Sequence, residues 1–441
     1  MLAFLLQVSS WLNNGHLYLF ALFMMMIWAL WLMRVILSSH YRPWKAPYET
    51  TTSVIIPVVD ESVEVFRSVL TLIVEQRPTE VIVVINGLRN SPLEALCTQL
   101  KVRWCWTETA GKRNALQIGV GLATGDIAVL VDSDTTWTED TLVELVKPFR
   151  DPRVGGVTTR QRILDPERTV LTRWADWLEN VRNEYSMPAM SVLGAVGCLP
   201  GRTIAFRRFI LVRNMDRFLT ERFMGVFLEV SDDRTLTNYT LQAGFRTVYQ
   251  STSLVYTDAP IQLRKLIKQQ YRWARGSQYN TLRMLGWMTR HTPVLATFYV
   301  ADIVVPFVLV GSYFSWCLSV VTGATVTIYD EMPLPGNLVG WQVIATILGL
   351  SVAMTLLSLM IRFARHFAFR PMDLVYLPSF MMINTLVLMP VRVAGFFRMA
   401  HNAGWGTRVG GFRGERRRNA LVLVPYLLGG AMLLASVMLG V

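Results

Sequence analysis

The chain has 441 residues, 52% of them hydrophobic and 17% charged, with a formal net charge of +12 and four cysteines. Cys97, Cys105, Cys198 and Cys317 show no C-x-x-C spacing and the five histidines are scattered, which argues against a disulfide framework or a structural zinc site. The basic residues, among them Arg362, Arg365, Arg370, Arg408, Arg413, Arg416, Arg417 and Arg418, gather beside apolar runs, as expected of a membrane protein and not of a nucleic-acid binder.

In chain order, residues 1–45 form an N-terminal segment whose apolar stretch 17–37 carries one charge, Arg34. That length suits a hydrocarbon layer of about 30 Å at roughly 1.5 Å per residue. Arg34, Arg42 and Lys45 then place its C-terminal end on the cytoplasmic side.

Residues 46–260 read as an α/β domain. Strand-type runs at Ser53–Val58, Val81–Ile85 and Ile127–Val131 alternate with helical patterns at Val63–Glu75, Lys112–Ala123 and Thr138–Lys147. This predicts βαβ units and a mainly parallel sheet, with ligands beyond the carboxyl ends of the strands. Asp60-Glu61, Asn86-Gly87 and Asp132-Ser133-Asp134 all fall at such ends and should converge on one crevice.

Residues 261–290 turn amphipathic and helical, rich in Lys, Arg, Gln and Trp, as a helix lying on a membrane surface would be. Residues 291–441 form a C-terminal membrane region. Stretches 294–322, 341–361 and 421–441 are spanning candidates, and 374–391, broken by Pro378 and Pro390, is expected to be re-entrant or interfacial.

Several short motifs can carry chemistry. Asp132 and Asp134 are two apart at a strand end, so their carboxylates can share a hard divalent cation, Mg2+ or Mn2+, that in turn holds a diphosphate. Such a pair is equally a turn or a helix cap. Gly111-Lys112-Arg113-Asn114 puts two cations at a helix start, where they can meet a diphosphate or simply be solvated. In Ser231-Asp232-Asp233-Arg234 a carboxylate can cap the following helix or take a proton from an attacking hydroxyl. Upstream, Val196-Gly197-Cys198-Leu199-Pro200-Gly201 is a small-residue turn suited to close approach by a ligand. Gln269-Gln270-Tyr271-Arg272-Trp273 offers an indole face for a sugar ring and a guanidinium for phosphate; both residues are also common membrane anchors.

Taken in order, GKRN, DSD, SDDR and QQYRW resemble the signature of processive, membrane-embedded family 2 glycosyltransferases, closest to the hyaluronan synthase and chitin-oligosaccharide synthase branch. SDDRTLTN resembles that branch's GDDR-x-LTN, QQYRWARGS its QQ-x-RW, and Trp405-Gly406-Thr407-Arg408 its C-terminal motif. The resemblance covers about residues 50–410. It implies a GT-A (nucleotide-diphospho-sugar transferase) domain inserted in an α-helical transmembrane bundle, and inverting transfer from a UDP-sugar to a growing polysaccharide.

By motif position, the resemblance makes Asp233 the general base, Asp132 a nucleotide contact and Asp134 the ligand of Mg2+ or Mn2+. Lys112 and Arg113 would support the nucleotide and Arg272 its diphosphate. Trp405, Thr407 and Arg408 would lie in a segment gating the donor. Trp273 would hold the acceptor sugar, with Gln269, Cys198, Gly201 and Asp232 beside it. Where the family usually has an acidic residue on the nucleobase, this chain has Asn86, which can still donate to or accept from a uracil. The expected partners are a UDP-sugar, the polysaccharide and membrane lipid, with no nucleic acid; the oligomeric state stays open. The implied location is an inner membrane with the catalytic domain in the cytoplasm. The alternative is a single-sugar transfer to a lipid or short acceptor, which QQYRW disfavours because a terminal-sugar platform matters most when product stays bound.

Overall fold

A computed structural model describes residues 19–322, 341–401 and 420–439. By internal contacts it divides into two compact units, Arg34–Thr297 with Arg398–Val422, and Met1–Met33 with Phe298–Phe397 and Leu423–Val441.

The first unit holds the α/β domain, which follows helix α1 (Leu19–Ser39). Its first elements are β1 (Thr52–Val58), α2 (Val63–Glu75), β2 (Glu80–Asn86), α3 (Ser91–Gln99), β3 (Arg103–Thr107), α4 (Lys112–Leu122) and β4 (Ile127–Val131). β1, β2 and β4 are runs of Val, Ile and Leu with almost every residue buried, the composition of strands covered on both faces. Accordingly β1 pairs in parallel with β2 and with β4, and β2 with β3. α2 begins where the Ser62 hydroxyl accepts from the Val65 amide, and it buries Phe66, Val69, Leu70 and Ile73 at helical spacing. Each such side chain contributes about 1.5–3 kcal/mol of transfer free energy.

The later elements are β5 (Thr136–Trp137), α5 (Thr141–Val146), β6 (Val154–Ile163), α6 (Val170–Val181), α7 (Met187–Val192), β7 (Thr203–Arg207), α8 (Arg208–Leu219), β8 (Arg222–Phe223), β9 (Val226–Phe227), α9 (Asp232–Gln242), β10 (Arg246–Thr257) and α10 (Leu263–His291). The main sheet has eight strands in the order β3-β2-β1-β4-β7-β6-β10-β5. β7 runs antiparallel to β4 and β6, and β5 antiparallel to β10, so the sheet is mixed where the sequence predicts a mainly parallel one. The difference comes from β5 and β7, short strands whose direction no local pattern encodes.

α10 docks on α9 through polar bonds. Arg234 donates to the hydroxyls of Ser277 and Thr281, Asn238 donates to Asn280 at 2.8 Å, and the Tyr279 hydroxyl donates to the Val230 carbonyl at 2.6 Å. The stretch after α1 is tied to β10 by Tyr41, whose hydroxyl donates to the Tyr249 carbonyl at 2.8 Å, and by Trp44, bonded both ways to the Gln250 amide.

The second unit is helical: α11 (Pro293–Thr322), α12 (Trp341–Arg362), α13 (Ala364–Phe369), α14 (Asp373–Met382), α15 (Met389–Phe397) and α16 (Val424–Leu439). A π-helical turn, Ile383–Leu388, joins α14 to α15, so the chain is helical from Asp373 to Phe397. Among the described residues, Pro293–Ser315, Asp373–Phe397 and Ala420–Met438 are long and apolar enough to cross a membrane; Met24–Ser39 and Leu348–Arg362 are shorter apolar helices. The stretch expected to be re-entrant or interfacial thus lies inside a helix of spanning length. Its prolines do not break it: Pro378 lies inside α14 and Pro390 at the second position of α15. Here Phe307 meets Phe396 edge-on at 5.1 Å, and buried His366 bonds Asp373 at 2.8 Å.

Candidate active site

The crevice lies beyond the carboxyl ends of β1, β2 and β4. β4 ends at Val131 and delivers Asp132, whose amide donates to the Arg202 carbonyl at 3.0 Å. α4 starts opposite it because Gly111, at φ 130°, lets the chain turn in a way that a side chain would obstruct. Lys112 then reaches Oδ1 of Asp132 at 2.5 Å. Burial lowers the Lys112 ammonium, but the carboxylates of Asp132, Asp232 and Asp233 outweigh it and hold the group above its ordinary value, so it stays charged.

Glu61 joins this edge of the crevice, accepting from the Ser133 hydroxyl at 3.1 Å. Asp134 is exposed at the crevice; partial desolvation there raises its carboxyl to about 6, the charges of Asp132 and Glu61 add to the shift, and Arg202 opposes it. A divalent cation beside Asp134 would offset the neighbouring carboxylates and favour its ionised form. No group of three or more His, Cys, Asp or Glu side chains able to hold a metal occurs among the described residues. That donor set still suits Mg2+ or Mn2+, which take one or two carboxylates and complete their shell with phosphate and water.

Asp233 sits in the first turn of α9. Its Oδ1 accepts from the Arg234 amide at 2.8 Å and the Ser231 hydroxyl at 3.3 Å. Its Oδ2 accepts from the Gly201 amide at 3.3 Å and lies 3.9 Å from the Cys198 sulfur. Burial raises the Asp233 carboxyl above the usual Asp range, against the lowering effects of the Arg234 amide and Lys112. The Cys198 thiol is pushed up to about 12, by burial first and by the Asp233 charge next.

A small cavity unites Lys112, Asp132, Gly201, Asp232 and Asp233. A neighbouring cavity is lined by Trp174, Glu179, Arg202, Asp258, Gln269 and Trp273. The consecutive residues Gly201 and Arg202 thus face one cavity each. Trp273 is 38% exposed there, and Arg272 is half-buried on α10.

Two residues expected at the nucleotide have their polar groups committed to partners within the protein. Asn86 is 1% exposed; its amide donates to the Val58 carbonyl at 3.0 Å and its oxygen accepts from the Gly111 amide at 3.2 Å. It latches β1 to the start of α4. Arg113 is 3% exposed, with Nε on Asp232 at 2.7 Å, Nη1 on the Phe218 carbonyl at 2.6 Å and Nη2 on Glu221 at 2.8 Å. Lys112 and Arg113 are adjacent on a helix and point about 100° apart, so only the first faces the cavity. Asp232 lines the cavity but spends its Oδ1 on Arg113. Trp405, Thr407 and Arg408 lie outside the described residues.

Sequence reasoning missed Arg202 and Glu221. Arg202 is detectable as the residue after the Gly201 turn, whereas Glu221 belongs to no motif.

A model of the family described as Glycosyltransferase like family 2 matches residues 49–276. Hyaluronan synthase of Streptococcus pyogenes is 30% identical over 250 residues, covering 54% of this chain and 59% of the relative. An N-acetylglucosaminyltransferase of Rhizobium meliloti is 32% identical over 268 residues, covering 57% of this chain and 62% of the relative. The chain therefore spans about three fifths of the length of the curated relatives it matches. A mannosyltransferase from Pyrobaculum calidifontis, solved with GDP-Man and Mn2+, aligns with a TM-score of 0.51 at 21% identity, covering 87% of this chain and 99% of that one. At that identity the likeness concerns the fold.

Proposed function

Because this chain belongs to the glycosyltransferase like family 2, we propose that it transfers sugar from a nucleotide-sugar donor, with inversion, onto the end of a growing polysaccharide. The donor is a UDP-sugar, the domain has a GT-A fold facing the cytoplasm, and the product leaves across the membrane.

One observation carries this reading: Asp233, Lys112 and Asp132 line a cavity with Gly201, and the next residue, Arg202, lines a second cavity with Trp273 and Gln269. A proton acceptor and a diphosphate-directed cation thereby lie beside an aromatic and amide surface suited to a sugar ring.

In the reaction, Asp233 takes the proton from an acceptor hydroxyl as that oxygen attacks the anomeric carbon. The bond from that carbon to the diphosphate breaks, and configuration inverts because no covalent intermediate forms. Burial makes Asp233 a stronger base than an exposed aspartate. Lys112, kept charged by the carboxylates around it, faces the departing diphosphate with Arg272. Asp134, with Asp132 beside it, would hold Mg2+ or Mn2+, which neutralises charge on the diphosphate when bound. Trp273 stacks on the terminal sugar, and Gln269, Cys198 and Gly201 border it.

The test is the purified chain in nanodiscs with Mg2+ or Mn2+ and UDP-sugars, singly and in pairs. UDP release with a ladder of long products supports the reading. A single added sugar on a lipid or short acceptor would replace processive synthesis by simple transfer, and no transfer from any donor would overturn the reading.

A further inference from the structure

We propose that Glu221 is a positioning residue for transfer, holding Asp233 and Lys112 in register through Arg113 and Asp232. The proposal rests on the roles given above to Asp233 and Lys112.

Glu221 lies between α8 and β8 and is 3% exposed. Its carboxylate gathers three elements. It accepts from Arg113 Nη2 on α4 at 2.8 Å, from the Thr235 hydroxyl on α9 at 3.0 Å, and from Arg283 Nη1 on α10. Arg113 also grips Asp232 at 2.7 Å and the Phe218 carbonyl at 2.6 Å.

The attachment points matter more than the number of bonds. Arg113 follows Lys112, Asp232 precedes Asp233, and Thr235 comes two residues after it. α4 carries the cation and α9 the base, and no backbone hydrogen bonds join these two helix starts to each other. The knot around Glu221 is what fixes their spacing. A guanidinium with all three nitrogens committed is a planar brace with little rotational freedom. Glu221 also reaches Arg283, on the same helix as Trp273, so the acceptor platform is referenced to the same carboxylate. Glu221 lines neither cavity, and its effect on chemistry is therefore indirect.

Glu221→Gln keeps the shape but removes the anion that Arg113 and Arg283 share; Arg113 retains Asp232 and its guanidinium must turn about that remaining contact, while Arg283 loses its partner carboxylate. Misplacing a catalytic group by about 1 Å costs roughly 100-fold. The expected result is a fall in kcat of about 10- to 100-fold, on that same scale, with donor KM changed by no more than about threefold.

A second readout needs no turnover. Cys198 lies 3.9 Å from Oδ2 of Asp233, so its alkylation by N-ethylmaleimide, followed on its own peptide by mass spectrometry, reports where the start of α9 sits. Alkylation should quicken several-fold in Glu221→Gln, scored per folded molecule by thermal melting. If that variant does not accumulate, Arg283→Lys keeps the charge, removes the fork and should give the same changes to a smaller degree.

Folded Glu221→Gln or Arg283→Lys with kcat and Cys198 alkylation both at the wild-type rate would overturn the proposal. If the wild-type protein transfers no sugar, the reading of the reaction fails, and the alkylation measurement decides the positioning role by itself.

Discussion

The Gly201 amide donates to Oδ2 of Asp233 at 3.3 Å, and a Cβ built on Gly201 would stand 3.4 Å from that aspartate's Cβ and 3.8 Å from the Lys112 ammonium. The small-residue turn thus holds the base while leaving room in front of it. Asp233→Asn keeps the shape and removes the proton acceptor. Transfer should fall by at least about 100-fold, at the lower end of what a general base contributes, while UDP affinity by calorimetry stays unchanged. Retained turnover would remove Asp233 from that role.

The pH dependence follows from the direction of the Asp233 shift. Burial raises its carboxyl, so the ionised, active form is lost at a higher pH than for an ordinary aspartate near about 3.9. The acid limb of kcat/KM should lie above that value, with activity falling as pH falls through it. The Ser231 hydroxyl, 3.3 Å from Oδ1, favours the charged form. Ser231→Ala should therefore move the limb to still higher pH. Divalent-cation affinity should weaken separately as pH falls through about 6, where Asp134 takes up a proton; saturating cation suppresses that second limb, which separates the two in rate profiles.

Trp273 is 38% exposed in the cavity that adjoins the base. Trp273→Ala should raise the acceptor KM roughly tenfold, equivalent to about 1.4 kcal/mol, and shorten the products on a gel. Trp273→Phe should retain most of both properties, because a ring face is what the sugar needs. Full-length product from the alanine variant would count against the platform.

Ser231 adopts φ 70°, ψ 58°, a left-handed conformation costing a side chain about 1 kcal/mol or more. Gly276 on α10 makes the arrangement possible, since a Cβ there would come within 2.5 Å of the Ser231 Cβ. Gly276→Ala should lower stability by about 1–3 kcal/mol, as overpacking does. Adding Ser231→Gly removes both the clash and the strained conformation and should restore the thermal midpoint. A double variant as unstable as Gly276→Ala alone would place the strain elsewhere.

Most of the parallel half of the sheet was legible in the residues. Runs such as Ile127–Val131 are so uniformly apolar that only a strand covered on both faces accommodates them, and the elements around them fall within a few residues of expectation. The gathering of Glu61, Asn86 and Asp132 at one crevice followed from strand ends alone. The helix at 373–397 was less legible, because two prolines in an apolar stretch read locally as breaks, while a helix packed among others can run through them.

Side-chain direction is where local reasoning stopped. Lys112 and Arg113 are chemically alike and adjacent, yet one faces Asp132 in the cavity and the other is buried against Asp232 and Glu221. Asn86 sits at the strand end the pattern predicts, but both ends of its amide are taken by the backbone of neighbouring elements. The sequence by itself pointed to the glycosyltransferase family, to the alternation of the first strands and helices and to the candidate carboxylates, because these are properties of composition and spacing along the chain. Only the tertiary structure decided which polar groups stay available to a ligand, because a buried hydrogen-bonding group must be satisfied by whatever the fold brings beside it, and those partners lie far away in sequence.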